Sequence, residues 1–159
     1  MQTDLDAELH LYGAGGDTAF IKECAKKDSR IKFFGRVDRK TLLVALKKAH
    51  LLVVNKPTAD DYSNYSFSSK ILEYMASGTP LLTTKVDGMP EEYYDYFYFF
   101  DEESTEGIKS SLEKIVNFSD KQLRDKGISA RAFAVKNKSY QYMTSTIVSF
   151  LGDSINGYL

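Results

Sequence analysis

The polar residues best suited to bind a ligand stand together in one short stretch, Ser68, Ser69, Lys70 and Glu73. The stretch begins a predicted helix, whose first N–H groups lack partners within the helix and whose amino end carries partial positive charge. Such an end favours a phosphate, and Lys70 would add a full charge beside it. Glu73 lies three residues later on the same helical face, where its carboxylate can accept hydrogen bonds from two ribose hydroxyls.

The same residues also allow a purely structural interpretation. Lys70 and Glu73 would then form a surface salt pair on an ordinary helix, and the serines would serve only as its caps. The spacing of these residues allows either a ligand site or a surface salt pair. The choice between them therefore depends on the position of the helix in the fold.

Short apolar runs alternate with helical patterns on both sides of this stretch. We predict strands at residues 8–12, 31–34, 51–54 and 81–84, with a fifth at 96–100. We predict helices after the caps Asp17 and Asp38, at 68–77 where Gly78 and Pro80 end the helix, at 105–116, and one or two within 120–151. The alternation is typical of an α/β fold whose strands run parallel.

Ligands of parallel sheets bind outside the carboxyl ends of the strands, so the fold selects one edge for a site. The segments at that edge are residues 13–17, 35–38, 55–68 and 85–92, which contain many of the glycines and polar turns of the sheet region. The helix that starts with Ser68 follows directly from one of them. We therefore expect the ligand site to be assembled from these four segments.

The stretch SFSSKILEYMASGTPLLTT resembles the donor-site segment of family 4 glycosyltransferases and related GT-B enzymes, where Glu-x7-Glu is followed by A-x-G-x-P. LHLYGAGG, IKFFGRVD and LLVVN occur in the order and spacing of that family's carboxy-terminal domain, so the resemblance covers residues 7–100. It implies a Rossmann-like parallel sheet flanked by helices, the C-terminal half of a GT-B fold lacking its first β-α unit. The implied activity is retaining glycosyl transfer from a nucleoside diphosphate sugar, in polysaccharide or glycoconjugate biosynthesis.

The resemblance also implies roles for individual residues. The backbone of Arg36 and Val37 would face the nucleobase, Glu73 would hold the ribose, and Ser68, Ser69 and Lys70 would lie by the diphosphate. Gly15 and Gly16 would lie near the phosphates or the sugar of the donor. The residues themselves equally allow a simple tight turn there, because Thr18 occupies the third glycine position of the dinucleotide motif G-x-G-x-x-G.

One position departs from the family pattern, because Tyr65 stands eight residues before Glu73, where the first glutamate belongs. Tyr65 and Ser66 are the polar residues of this segment that would contact the donor, and Asp60 or Asp61 could also replace the missing carboxylate. The departure keeps a second hypothesis open, a non-catalytic nucleotide-binding or interaction module with the same fold. No catalytic residue is identified.

The composition of the 159 residues fits one globular domain, with a sheet core at 7–100 and a mostly helical part at 101–159. With 21 Lys or Arg and 22 Asp or Glu, the chain predicts no nucleic-acid partner. The expected partners are a nucleotide sugar and a missing N-terminal acceptor-binding domain, and any peripheral membrane association would occur through that missing part. The isolated chain is therefore expected to be inactive.

The chain has one cysteine and two histidines, too few for a disulfide or a zinc cluster. Cys24 lies on the apolar side of a predicted helix and is expected to be buried, while His10 and His50 are expected to be structural or exposed. We predict no metal and no cofactor besides the donor substrate. A cytoplasmic location is expected, since no apolar run is long enough for a secretion signal or a membrane span.

Overall fold

A computed structural model describes residues 5–59, 65 and 68–156, with side-chain surroundings as far as residue 152. The chain divides into two compact units, residues 1–48 and 49–159. The five strands form a two-stranded and a three-stranded sheet, and every pair of neighbouring strands runs parallel. The predicted α/β class and the parallel direction of the strands are therefore confirmed.

The first unit contains two β-α pairs. Its elements are β1 (Leu9–Tyr12), α1 (Thr18–Lys27), β2 (Ile31–Gly35) and α2 (Arg39–Lys48). Leu9 pairs with Ile31, and the register shifts before Tyr12, which pairs with Gly35. This shift lies at the carboxyl end of both strands, where the predicted ligand segments begin.

The two helices of this unit begin differently. Asp38 accepts hydrogen bonds from the backbone N–H of Thr41 at 2.9 Å and from its hydroxyl at 2.6 Å. These bonds hold the pKa of Asp38 below its usual value, and they confirm Asp38 as the cap of α2. Asp17 precedes α1 without a side-chain cap bond, so that part of the prediction is wrong. Cys24 was expected to be buried but is half-buried, and α1 as a whole has no fully buried residue.

The second unit contains the three-stranded sheet and most of the helical residues. Its elements are β3 (Leu52–Val54), α3 (Ser69–Ser77), β4 (Leu81–Thr83), a 3-10 helix (Glu91–Tyr96), β5 (Tyr98–Phe99), α4 (Thr105–Val116), α5 (Asp120–Lys138) and α6 (Tyr140–Asn156). The strand order is β3-β4-β5, with all three residues of the central strand buried. The predicted fifth strand is shorter than expected, since the 3-10 helix occupies its first residue.

The core of this unit forms around the central strand. Leu82 of β4, Phe100 after β5 and Ile115 of α4 make one buried cluster. Ile71 and Met75, four residues apart on α3, are also buried, so one face of this helix is fixed in the interior. The opposite face contains Ser69 and Lys70, which are exposed.

Close packing against α5 also fixes the end of α3. Gly78 ends the helix in the left-handed conformation, with φ of 80°. A Cβ atom on Gly127 of α5 would lie 2.1 Å from the carbonyl oxygen of Gly78, so only glycine permits this approach. Arg131 of α5 donates a hydrogen bond to the Ala76 carbonyl. The helix with the predicted phosphate-binding residues is therefore held at its carboxyl end.

The last helix, α6, differs from the others in its surface. As far as residue 152, it has seven exposed large apolar side chains, Tyr140, Tyr142, Met143, Ile147, Val148, Phe150 and Leu151. Among the described residues, no helix combines the length and the hydropathy that a membrane span requires.

Candidate functional site

In the first unit, the two loops predicted to face a ligand meet at the carboxyl ends of β1 and β2. The N–H of Gly13 donates to the Gly35 carbonyl at 2.7 Å, which joins the start of one loop to the start of the other. Both glycines have positive φ, 131° and 65°, a conformation that other residues rarely adopt. The structure thus brings residues 13–17 and 35–38 together, as the parallel arrangement predicts.

The loop after β1 is a tight turn organised by Thr18. Its hydroxyl donates to the Gly15 carbonyl at 2.8 Å and lies 3.3 Å from the Gly15 N–H. Gly15 and Gly16 are exposed, and a Cβ atom on either would contact nothing within 4 Å. The threonine in the third glycine position therefore has a structural role, while open space remains beside the two glycines.

Arg36 and Val37 lie in the neighbouring loop, after the positive-φ turn at Gly35. Arg36 is exposed and Val37 is half-buried. Their backbone follows the carboxyl end of β2, the position at which ligands contact parallel sheets.

In the second unit, the side chain of the residue before α3 does not cap the helix. Ser68 has extended backbone angles, φ −68° and ψ 122°, and its side chain makes no cap hydrogen bond. The first helical bond runs from the Ile71 N–H to the Ser68 carbonyl at 3.0 Å. Because the N–H groups of a first helical turn precede the intrahelical ladder, this uncapped end can donate to an anion. The exposed ammonium of Lys70 stands on the same turn.

Glu73 stands one turn further along α3 in different surroundings from Lys70. Its side chain is half-buried and its Oε1 atom is shielded from solvent. Burial raises the pKa of the adjacent Tyr74 phenol, and the charge of Glu73 raises it further. Among the ion pairs of the described residues, none joins Lys70 to Glu73.

A hydrogen-bonded link that the sequence did not predict joins the carboxyl ends of β3 and β4. The Thr84 hydroxyl donates to Asn55 Oδ1 at 3.2 Å and accepts from the Lys56 N–H at 3.1 Å. The Thr84 N–H lies 3.3 Å from the Val54 carbonyl. Both side chains directly follow apolar strands, the sequence signal that could have identified this pair. The link fixes the start of the segment that leads to α3.

The loop after β4 places a second lysine at the same edge. The Lys85 ammonium lies 4.0 Å from the centroid of the Tyr94 ring, and the Tyr94 hydroxyl donates to the Met89 carbonyl at 3.4 Å. A cation over an aromatic face is held by attraction to the ring quadrupole. Lys85 is therefore positioned by the 3-10 helix that follows it.

The predicted site residues thus fall into two sets. Gly15, Gly16, Arg36 and Val37 lie in the first unit, and Ser68, Ser69, Lys70 and Glu73 lie in the second. Tyr65 is 89% exposed, and Ser66, Asp60 and Asp61 lie outside the described residues. Within the part of the chain that the structure describes, no group of His, Cys, Asp and Glu could hold a metal ion.

Comparison with known sequences gives a match over most of the chain. Residues 1–117 match the model of a family described as "Glycosyl transferases group 1". The chain is also 29% identical, over 153 residues, to N-acetyl-alpha-D-glucosaminyl L-malate synthase from Bacillus anthracis. The alignment covers 92% of this chain and 36% of that enzyme. The chain therefore spans about a third of its curated relative.

Solved structures show the same fold at low sequence identity. Sucrose-phosphate synthase from Thermosynechococcus elongatus superposes with a TM-score of 0.70 and 16% identity, over 94% of this chain and 39% of that one. HepE from Anabaena, crystallised in complex with UDP, superposes with a TM-score of 0.67 and 19% identity, over 92% of this chain and 41% of that one. AviGT4, a glycosyltransferase involved in avilamycin A biosynthesis, superposes with a TM-score of 0.51 and 18% identity. The superposition covers 86% of this chain and 42% of that one. This is the fold of GT-B glycosyltransferases, which confirms the predicted architecture.

Proposed function

The chain belongs to the glycosyl transferases group 1 family, and on this premise we propose that it binds a nucleoside diphosphate sugar for retaining glycosyl transfer. In this proposal the chain is the donor-binding part of a larger enzyme, and another domain holds the acceptor. The donor is the only small molecule required, without a metal or a further cofactor. Polysaccharide or glycoconjugate biosynthesis in the cytoplasm is the proposed setting.

The observation that carries the proposal is the start of α3. An uncapped helix end, an exposed lysine and a half-buried carboxylate stand within five residues of one another. The first two suit an anionic diphosphate, and the third suits the paired hydroxyls of a ribose. Buried Ile71 and Met75 hold the helix from the opposite face, so these groups are positioned before a ligand arrives.

The chemical contribution of the chain is then positioning and charge stabilisation. As the bond between the anomeric carbon and the diphosphate breaks, negative charge accumulates on the departing phosphate. Lys70 and the N–H groups of the first helical turn stabilise that charge. Glu73 fixes the ribose, so the anomeric carbon keeps one orientation toward the acceptor. The backbone of Arg36 and Val37 faces the base, Gly15 and Gly16 lie near the donor, and Tyr65 and Ser66 contact its sugar end.

Isothermal titration calorimetry with UDP, GDP and their sugar conjugates tests the proposal. We expect one base to be preferred and the sugar conjugate to bind more tightly than the bare nucleotide. HepE, which has the same fold, was crystallised with UDP, so UDP is the first ligand to test. Absence of binding by every nucleotide and nucleotide sugar would refute the proposed function.

Tyr65 favours a second candidate function, a nucleotide-binding or interaction module without transfer activity. It stands where the family pattern has a glutamate, so a carboxylate that would contact the sugar is missing. The same titrations separate the two functions. Equal affinity for a nucleotide and its sugar conjugate would favour the module, whereas a gain from the sugar would favour the donor-binding domain.

A further inference from the structure

The outer face of α2 combines apolar and basic side chains. Arg39, Lys40, Leu43, Val44 and Lys47 line a cleft of about 400 Å³. We call these five residues the α2 face. Val44 is 46% exposed, and both lysines are exposed. Leu46 is the buried residue of this helix, so the helix is anchored through a side chain outside the α2 face.

The charge of this helix has one sign. Between Arg39 and Lys48 the sequence RKTLLVALKK contains four basic residues and no acidic residue. Asp38, the residue before this helix, accepts hydrogen bonds from the backbone and the hydroxyl of Thr41. Residues 1–48 contain more Lys and Arg than Asp and Glu, whereas residues 49–159 have the opposite excess. The net charge of the whole chain is therefore close to zero, although its first unit has an excess of basic residues.

We propose that the α2 face docks onto an anionic phospholipid surface. The basic side chains supply attraction to the headgroups, and their alkyl stems extend the apolar area of Leu43 and Val44. Val44 is accessible and adjoins both lysines on the helix, so it can enter the boundary between headgroups and acyl chains while the lysines stay at the phosphate level. The α2 face shares no residue with the start of α3, and it places membrane contact within this chain.

Charge complementarity selects an anionic partner, and the apolar side chain of Val44 decides between a lipid surface and a soluble polyanion. A soluble polyanion such as RNA would use the basic residues but would leave Val44 in water. A bilayer uses both kinds of side chain on one face. Since each basic residue near an anionic surface raises partitioning about fivefold, reversing two of them should weaken binding by roughly 25-fold or more.

Vesicle flotation tests the electrostatic part of the proposal. We expect the chain to bind vesicles of phosphatidylcholine with 30% phosphatidylglycerol, but not pure phosphatidylcholine, and to detach at high salt. Lys40→Glu with Lys47→Glu should abolish binding. The matched control is Arg124→Glu with Lys136→Glu on α5, which changes the net charge equally and should retain binding. Equal loss in both double variants, or binding of neither vesicle by the unaltered chain, would overturn the proposal.

A tryptophan reporter tests the apolar part even if a charge variant fails to fold. The chain contains no tryptophan, so Val44→Trp gives a single fluorophore on the α2 face. Its emission should shift to shorter wavelength on the anionic vesicles. Val135→Trp, at an exposed position of α5, is the control and should not shift. No shift at position 44, the same shift at both positions, or a shift of equal size with a polyuridylate RNA would overturn a lipid-docking surface.

Discussion

Lys70 and Glu73 stand three residues apart on α3, yet solvent reaches them differently. Lys70 is exposed, whereas Glu73 is half-buried with one shielded carboxylate oxygen. A partly desolvated carboxylate makes stronger hydrogen bonds than a solvated one, because water competes less for its lone pairs. The two side chains therefore contribute to ligand binding in ways that substitutions can separate.

Replacing Glu73 with alanine should weaken nucleotide binding by about 1.5–3 kcal/mol, the scale of hydrogen bonds to a charged group. Titration calorimetry with the preferred nucleotide measures the loss, and circular dichroism checks that the domain stays folded. Glu106→Ala, an exposed glutamate in the first turn of α4, is the control and should bind normally. Unchanged affinity in a folded Glu73→Ala chain would return this residue to a structural role.

Replacing Lys70 with alanine should weaken a nucleoside diphosphate more than the corresponding nucleoside. The ammonium is expected to contact phosphate through a charge-assisted hydrogen bond, and the nucleoside lacks that group. The measurement is the ratio of the two affinities in the variant and in the unaltered chain. Lys136→Ala on α5 removes an equal charge at an exposed residue outside the proposed donor-binding set and should leave the ratio unchanged. The same loss for both ligands would exclude the phosphate contact.

The helix that presents these residues depends on glycine at a close backbone contact. Gly127 of α5 faces the Gly78 carbonyl, and a Cβ atom there would lie 2.1 Å from the oxygen and 2.9 Å from the Pro80 nitrogen. Both neighbours are backbone atoms, so they cannot give way by a rotamer change. The end of α3, and with it the orientation of the whole helix, therefore depends on this contact.

We expect Gly127→Ala to reduce the free energy of unfolding by about 1–3 kcal/mol, the usual cost of overpacking, in spite of the better helix propensity of alanine. Urea denaturation followed by circular dichroism gives the value. Gly152→Ala on α6 is the matched control, since a Cβ atom there meets nothing within 4 Å. The control should be neutral or slightly stabilising. Equal stability of the two variants would show that the α3–α5 contact is looser than described.

Local sequence signals predicted most elements but not the contacts between them. Thr105–Val116 forms a helix as expected, because Ser104 caps it and its apolar residues recur at helical spacing. Asp17 is a residue type that often caps helices, but its side chain makes no cap hydrogen bond at the start of α1. The Gly127–Gly78 approach and the Thr84–Asn55 link join residues distant in sequence. Such contacts follow from tertiary packing, which residue periodicity does not encode.

For the whole molecule, the alternation of strands and helices was enough to predict the α/β class, and the resemblance identified the fold of GT-B enzymes. The positions of Gly15, Gly16, Arg36 and Val37 at the carboxyl ends of parallel strands follow from the same rule. Their roles depend instead on contacts with a ligand, which the fold alone does not specify. Those roles, and that of Tyr65, stay predictions until binding is measured.

The final prediction concerns the 159-residue chain as a catalyst. We expect it to bind a nucleotide sugar without transferring the sugar at an enzyme-like rate. The chain spans 36% of its curated relative and 39–42% of three relatives of known structure. Transfer needs an acceptor held against the anomeric carbon and shielded from water, and the proposed role of this chain covers only the donor.

Product analysis by mass spectrometry, with the preferred donor and a panel of sugar and hydroxy-acid acceptors, tests this expectation. The control is a chain extended by the amino-terminal domain of the Bacillus anthracis relative, which supplies the part that this chain does not match. Binding of the donor should be similar in both, because the start of α3 is common to them. Transfer should appear only in the extended chain, since positioning both substrates lowers the barrier far more than binding one. Rapid transfer by the 159-residue chain alone would disprove the proposal that this chain binds only the donor while another domain holds the acceptor.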